Sequence, residues 1–212
     1  MKKIMLVVTA AALLTLLVYQ GSMAFFHAET SVGSKVSAGN LGVELIEHVD
    51  EENATKSADG FQIRNAMPGA EINNTAYVQN KKDYPLYARV TATKYWVDEN
   101  GKKLPDADAS LITLVTKDPT NWIVIDDAAS SNSEIMYFYY RLPIEKGQKS
   151  TNLMDAVRIS KEIKNGEYTN YQIHLTFEAD AVQSAAGAEA ALSEWGVEFT
   201  IDSQGRITSV VD

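Results

Sequence analysis

Cysteine is absent from all 212 residues. That excludes disulfide staples, thiol nucleophiles, cysteine-ligated zinc and iron–sulfur clusters. A secreted eukaryotic domain without disulfides would be unusual, whereas in a monoderm bacterium it is unremarkable. Histidine is scarce: His27, His48 and His174 are the three. None stands in His-Glu-x-x-His, the spacing by which a zincin presents two imidazoles and a base from one helical face. No Gly-x-Ser-x-Gly elbow and no glycine-rich phosphate loop occurs. Each histidine reads as a solvent-exposed polar residue, and catalysis is unsupported.

Positive charge is also in deficit. Nineteen Lys and Arg face 28 Asp and Glu, for a formal net charge of −9, so there is no electrostatic reason to bind nucleic acid or an anionic membrane. The densest acidic run is Glu44, Glu47, Asp50, Glu51 and Glu52. Carboxylates suit hard cations such as calcium, but the twelve-residue spacing of an EF-hand loop is missing. The run reads as a charged loop after a strand, and no cofactor or metal is expected. The triplets Asn53-Ala54-Thr55 and Asn73-Asn74-Thr75 resemble glycosylation acceptors and carry little weight in a bacterial chain.

One long apolar run is present, at the start. Lys2 and Lys3 precede the uncharged stretch Ile4 to Val18, and Gly21-Ser22-Met23-Ala24 follows. Positive, apolar and small-residue regions in that order predict a secretion signal over residues 1–24, cut between Ala24 and Phe25. The apolar stretch is shorter than the roughly twenty residues of a spanning helix, which sets cleavage against the alternative of an uncleaved anchor. The protein is therefore expected outside the cytoplasm. What remains suits one domain.

Past the signal, short β-branched and aromatic runs alternate with turn residues. Leu41 to Glu47, Phe61 to Arg64, Thr75 to Asn80 and Leu86 to Val97 read as strands. Asn100-Gly101 supplies a tight turn after the last. Leu111 to Thr116 is ambiguous between strand and short helix. Trp122 to Ile125, Ile135 to Leu142, Ala156 to Ile159 and Tyr168 to Ala179 continue the series. In Tyr137-Phe138-Tyr139-Tyr140 alternate rings must point to opposite faces, which favours packing over a carbohydrate platform. Alanine-rich Ser184 to Trp195 reads as a helix, and Val197 to Ile201 with Ile207 to Val210 as a closing strand pair. The pattern predicts a mainly β protein: an antiparallel, jelly-roll-like or immunoglobulin-like β-sandwich over residues 39–212, with one short Ala-rich helix near the C-terminus.

The segment that follows the cut alternates at the period of a strand. Even positions are Phe26, Ala28, Thr30, Val32, Ser34, Val36 and Ala38; the odd ones, Phe25, His27, Glu29, Ser31, Gly33, Lys35 and Ser37, are mostly polar. Such a terminal strand has two homes. It pairs within its own domain, or it adds to the exposed sheet edge of a neighbouring subunit as a donor strand. The second satisfies unpaired edge groups and links molecules head to tail into a filament.

Ala24-Phe25-Phe26-His27-Ala28-Glu29-Thr30, followed by Ser37-Ala38-Gly39-Asn40-Leu41-Gly42-Val43-Glu44-Leu45, resembles the start of the TasA/camelysin family of bacterial biofilm fibre proteins. Met67-Pro68-Gly69, Tyr77-Val78-Gln79-Asn80 and Pro85-Leu86-Tyr87-Ala88-Arg89-Val90 are similar to the family's Pro-Gly turn, Val-x-Asn strand end and Tyr-x-Arg-Val strand. Tyr137 to Pro143 and Leu153-Met154-Asp155-Ala156-Val157 resemble its aromatic strand and the segment after it. Two departures stand out. Ile144-Glu145-Lys146-Gly147 replaces the usual Pro-Gly, and His27-Ala28-Glu29 stands where an Asp is usual.

The resemblance implies a jelly-roll, processing by a SipW-type signal peptidase, and secretion to the matrix or surface of a bacterium. It further implies homopolymeric fibres grown by donor-strand insertion, with accessory matrix proteins left open as partners. The donor segment would be residues 25–38, its interface Phe25, Phe26, Ala28, Thr30, Val32 and Val36, with Phe26, Val32 and Val36 as apolar contacts. Camelysin-type members also carry a metallopeptidase label, so a secreted metallopeptidase is the alternative. It would need a zinc site assembled in space, for instance from His48, His174 and a carboxylate.

Overall fold

In a computed structural model the described residues are 25–26, 42–49, 52–56, 60–64, 66–127, 133–164, 168 and 170–211. Strand alternation becomes layer structure in the longest strands. In the strand Leu86–Val97, Ala88, Val90, Ala92, Lys94 and Trp96 are buried while Arg89, Thr91, Thr93 and Tyr95 are half-exposed. In Gln172–Gln183 the same inward face carries Ile173, Leu175, Phe177, Ala179 and Ala181. These odd positions belong to one apolar cluster, which removes their side chains from water and holds the layers together.

Thirteen strands are described: β1 Phe25–Phe26, β2 Val43–Val49, β3 Ala54–Lys56, β4 Phe61–Ile63, β5 Glu71–Asn80, β6 Leu86–Val97, β7 Ile112–Thr116, β8 Trp122–Asp126, β9 Ile135–Tyr140, β10 Met154–Ile159, β11 Gln172–Gln183, β12 Glu198–Ile201 and β13 Ile207–Val211. One sheet runs β3-β4-β11-β6-β9-β8, with β1 joined to β11 off that path. The second runs β2-β5-β10-β7, and β12-β13 form a separate ribbon. All the pairings are antiparallel. Both sheets contribute to a single core that includes Ile72, Ala76 and Val78 from one and Val90, Trp96, Phe138 and Phe177 from the other. The expected mainly β, antiparallel sandwich with one short C-terminal helix is therefore the architecture found. Its two-layer arrangement is compatible with a jelly-roll.

The C-terminal part caps the outer face of the first sheet. Helix α1, Gly187–Trp195, follows a 3₁₀ turn at Ser184–Ala186 and ends at Gly196, whose φ of 71° is the left-handed conformation that closes a helix. A second apolar cluster joins Ala190, Ala191, Trp195, Phe199 and Ile207 of the cap to Tyr87, Tyr139 and Val182 of the sheet. The helix sits so close that a Cβ at Gly187 would lie 2.5 Å from the Tyr87 ring, which only glycine avoids. Hydrogen bonds pin the ribbon: Tyr87 Oη donates to the Gly205 carbonyl at 2.6 Å, and Arg141 Nη1 to that of Ile207 at 2.9 Å.

Several expectations shift. Leu111 to Thr116 resolves into a 3₁₀ turn at Ala109–Leu111 and strand β7. The turn is fastened from the core, where buried Lys94 donates to the Ala109 carbonyl at 2.7 Å. The strand expected from Tyr168 to Ala179 is β11, which continues to Gln183 because β6 supplies a partner for each of its twelve residues. The helix expected from Ser184 begins at Gly187. Strand β3 was hidden within a glycosylation-like triplet and exists through its pairing with β4.

Candidate assembly edge

Strand β11 has two flanks of different construction. On one, Gln172 through Gln183 pair in unbroken register with Val97 through Leu86 of β6. On the other, β4 covers one end, with Ile173, His174 and Leu175 opposite Ile63, Gln62 and Phe61. The far end of that flank is taken by β1, with Phe25 opposite Val182 and Phe26 opposite Ala181. Among the described residues no strand lies beside this flank between Thr176 and Asp180. A flank served by two short strands is the kind of edge to which an extended segment adds.

The two faces of β11 near that edge differ in chemistry. Phe177, Ala179 and Ala181 face the core and are buried. Asp180 faces outward, where Arg89, its register partner on β6, donates to Oδ2 from Nη2 at 2.6 Å and from Nε at 3.2 Å. The guanidinium also stacks over two rings, 5.0 Å from the Trp195 centroid and 5.5 Å from that of Tyr137. A nearly buried, charge-assisted pair of this kind, with two N–H groups on one carboxylate oxygen, ties β6, β11, β9 and the cap at one point.

Of the residues singled out from sequence, Phe25 and Phe26 are placed as strand β1 on this edge. Ala24, Ala28, Thr30, Val32 and Val36 lie outside the described residues, as do the signal segment and His27. His48 is on the outer face of the second sheet, 6.5 Å from the Tyr77 ring. His174 is on the outer face of the first, stacked on Tyr95 at 4.9 Å and only 5% exposed. The solvent-exposed reading of His174 is thus corrected; the flat Tyr95 ring covers it. The two imidazoles face away from each other on different sheets, and no group of three His, Cys, Asp or Glu able to hold a metal occurs among the described residues.

The acidic run divides as well. Glu44 is an exposed ion pair with Lys81 at 2.7 Å. Glu47 instead turns inward to Asn74, so it is no part of a solvated loop. Asp50 and Glu51 lie outside the described residues. In the aromatic run, Phe138 and Tyr140 enter the core while Tyr139 is buried under the cap. No helix among the described residues is long and apolar enough to cross a membrane. Compared with known proteins, the chain matches no family model, no curated protein and no solved structure.

Proposed function

We propose that the chain is an extracellular structural subunit of biofilm-matrix fibres, assembling head to tail by exchange of its mature N-terminal strand. The supporting observation is the pairing of Phe25–Phe26 with Val182 and Ala181 on the flank of β11 that the described strands line only in part. Phe25 and Phe26 add to this edge as a strand, and Phe25 is the residue the expected cut after Ala24 would expose. In a monomer the strand pairs with its own β11. In a fibre the same positions are taken by the strand of the next subunit, with Ala28, Thr30, Val32 and Val36 extending the contact. A heterologous contact of this type does not close, so it propagates.

On this reading the signal holds the strand back, because a chain still joined at Ala24 presents no free end to a neighbour. Export, processing and competence to assemble are then one event. The partners are further copies of the chain, the signal peptidase during export, and other matrix proteins. The place is the matrix or cell surface of a bacterium.

Deletion of residues 25–36 from the mature chain tests the proposal. The truncated protein is expected to give the circular dichroism of a folded β protein and no fibres by electron microscopy. Normal polymerisation of the truncated form would overturn it. Amino-terminal sequencing of secreted protein should begin at Phe25.

A further inference from the structure

A carboxyl and an amide meet inside the sandwich at the second sheet's edge. Glu47 is on the inward face of β2, in line with buried Val43 and Leu45. Asn74 is on the inward face of β5 and fully buried, and its Nδ2 donates to Glu47 Oε1 at 2.9 Å. The other half of each group is bare: Glu47 Oε2 and Asn74 Oδ1 are both buried without a hydrogen-bond partner. Two acceptors on side chains already joined by one hydrogen bond lack the same thing, a donor. A buried acceptor left unmatched loses its hydration without replacement, so this arrangement calls for a donor.

We propose that Glu47 is held as a carboxylic acid whose Oε2–H donates to Asn74 Oδ1, closing a two-bond acid–amide ring that latches edge strand β2 to β5 and opens when the proton leaves. One proton satisfies both bare atoms at once. β2 is an edge strand whose sheet partner is β5, in register from Val43–Asn80 to Val49–Asn74. The ring therefore sits where that pairing would fray.

The surroundings favour the acid. Burial pushes the Glu47 carboxyl up to about 8 from an ordinary 4.5, against the smaller opposing pulls of the Asn74 hydrogen bond and of Lys56. Lys56 on β3 is the charged group that pulls it down. The inward neighbours on β5 are Ile72 and Ala76, and those on β11, the strand across from β2, are Ile173, Leu175 and Phe177, all apolar. His48 projects from the opposite face of β2.

The sign follows from proton counting. The unfolded chain releases this proton near 4.5 and the folded chain keeps it to about 8. Between those values the unfolded state binds fewer protons, so this group's contribution to stability falls as pH rises and its loss is complete above the upper value.

Thermal midpoints of the mature chain and of Glu47→Gln, measured from pH 5 to 9, test the latch. Glutamine keeps the ring permanently, its amide N–H standing in for the acid proton. The variant's Tm advantage over the wild type is expected to grow between pH 5 and 8 and then level. A carbon-13 NMR titration of the wild-type Glu47 carboxyl should have a midpoint well above the ordinary carboxylate range, and it decides the matter even if the variant folds poorly. A midpoint in the ordinary range would overturn the proposal, as would parallel Tm curves. So would a Tm rise with calcium chloride at pH 7 in the wild type but not in Glu47→Gln, which would assign the bare oxygens to a cation.

Discussion

The two flanks of β11 present the same backbone chemistry under opposite constraints. Toward β6 it is covered by twelve consecutive register pairs, reinforced by the Arg89–Asp180 ion pair and packed by the cap at the Tyr87–Val182 end. Toward β4 and β1 it is served, among the described residues, by two short strands, one of them Phe25–Phe26, directly after the expected cut. A continuous ladder cannot be exchanged without unfolding the domain, whereas a terminal strand exchanges at the cost of a few hydrogen bonds. The permanent flank builds the subunit and the discontinuous flank is where the proposed fibre contact forms.

Breaking the permanent flank should have the largest effect. Thr91→Pro removes a ladder hydrogen bond in the middle of β6, which is paired on both sides to β11 and β9. The Thr91 side chain is only half-buried, so the loss is one of backbone pairing. The expected outcome is no cooperative unfolding transition by circular dichroism.

A smaller loss should come from Arg89→Ala. It takes from Asp180, whose side chain is 10% exposed, the guanidinium that donates twice to its Oδ2, and removes that cation from the Tyr137 and Trp195 rings. Removing one member of a buried pair costs about 3–5 kcal/mol, readable as a lower urea midpoint at unchanged slope. Fibres should still form from the fraction that folds.

Phe26→Pro on the discontinuous flank should reverse that pattern. A terminal two-residue strand contributes little to the fold, so the stability change should stay within about 0.5 kcal/mol. A proline there cannot donate to β11, and fibre yield by electron microscopy is expected to collapse.

Much of this contrast was legible in the sequence because it rests on period. The β-branched and aromatic runs Leu86 to Val97 and Tyr168 to Ala179 read as the strands that are β6 and β11. The polar–apolar alternation after Ala24 marked the terminal segment as a strand. Pairing was not legible, since no local signal says that β11 runs to Gln183 or that Ala54–Lys56 is a strand; β6 and β4 decide those from across the sheet. Nor could composition distinguish Glu47 from its acidic neighbours. Glu44 and Glu47 are three residues apart on one strand, so they point to opposite faces. Only the fold fixes which face is inside, and with it Glu44's place beside Lys81 and Glu47's place against Asn74. His174 escaped for the same reason, its cover being a ring on the adjacent strand.

Strand exchange has a direct measurement, made clean by the absence of native cysteine. Phe26 and Ala181 are register partners, so Phe26→Cys with Ala181→Cys places two thiols across neighbouring strands, within the range a disulfide spans. Fibres of the double variant, oxidised and then dissolved in denaturant, are analysed by non-reducing gel electrophoresis. A ladder of covalent oligomers is expected, each strand bonded to the β11 of the next subunit. A single monomer band from intact fibres would mean that each strand stays at home, and would contradict it.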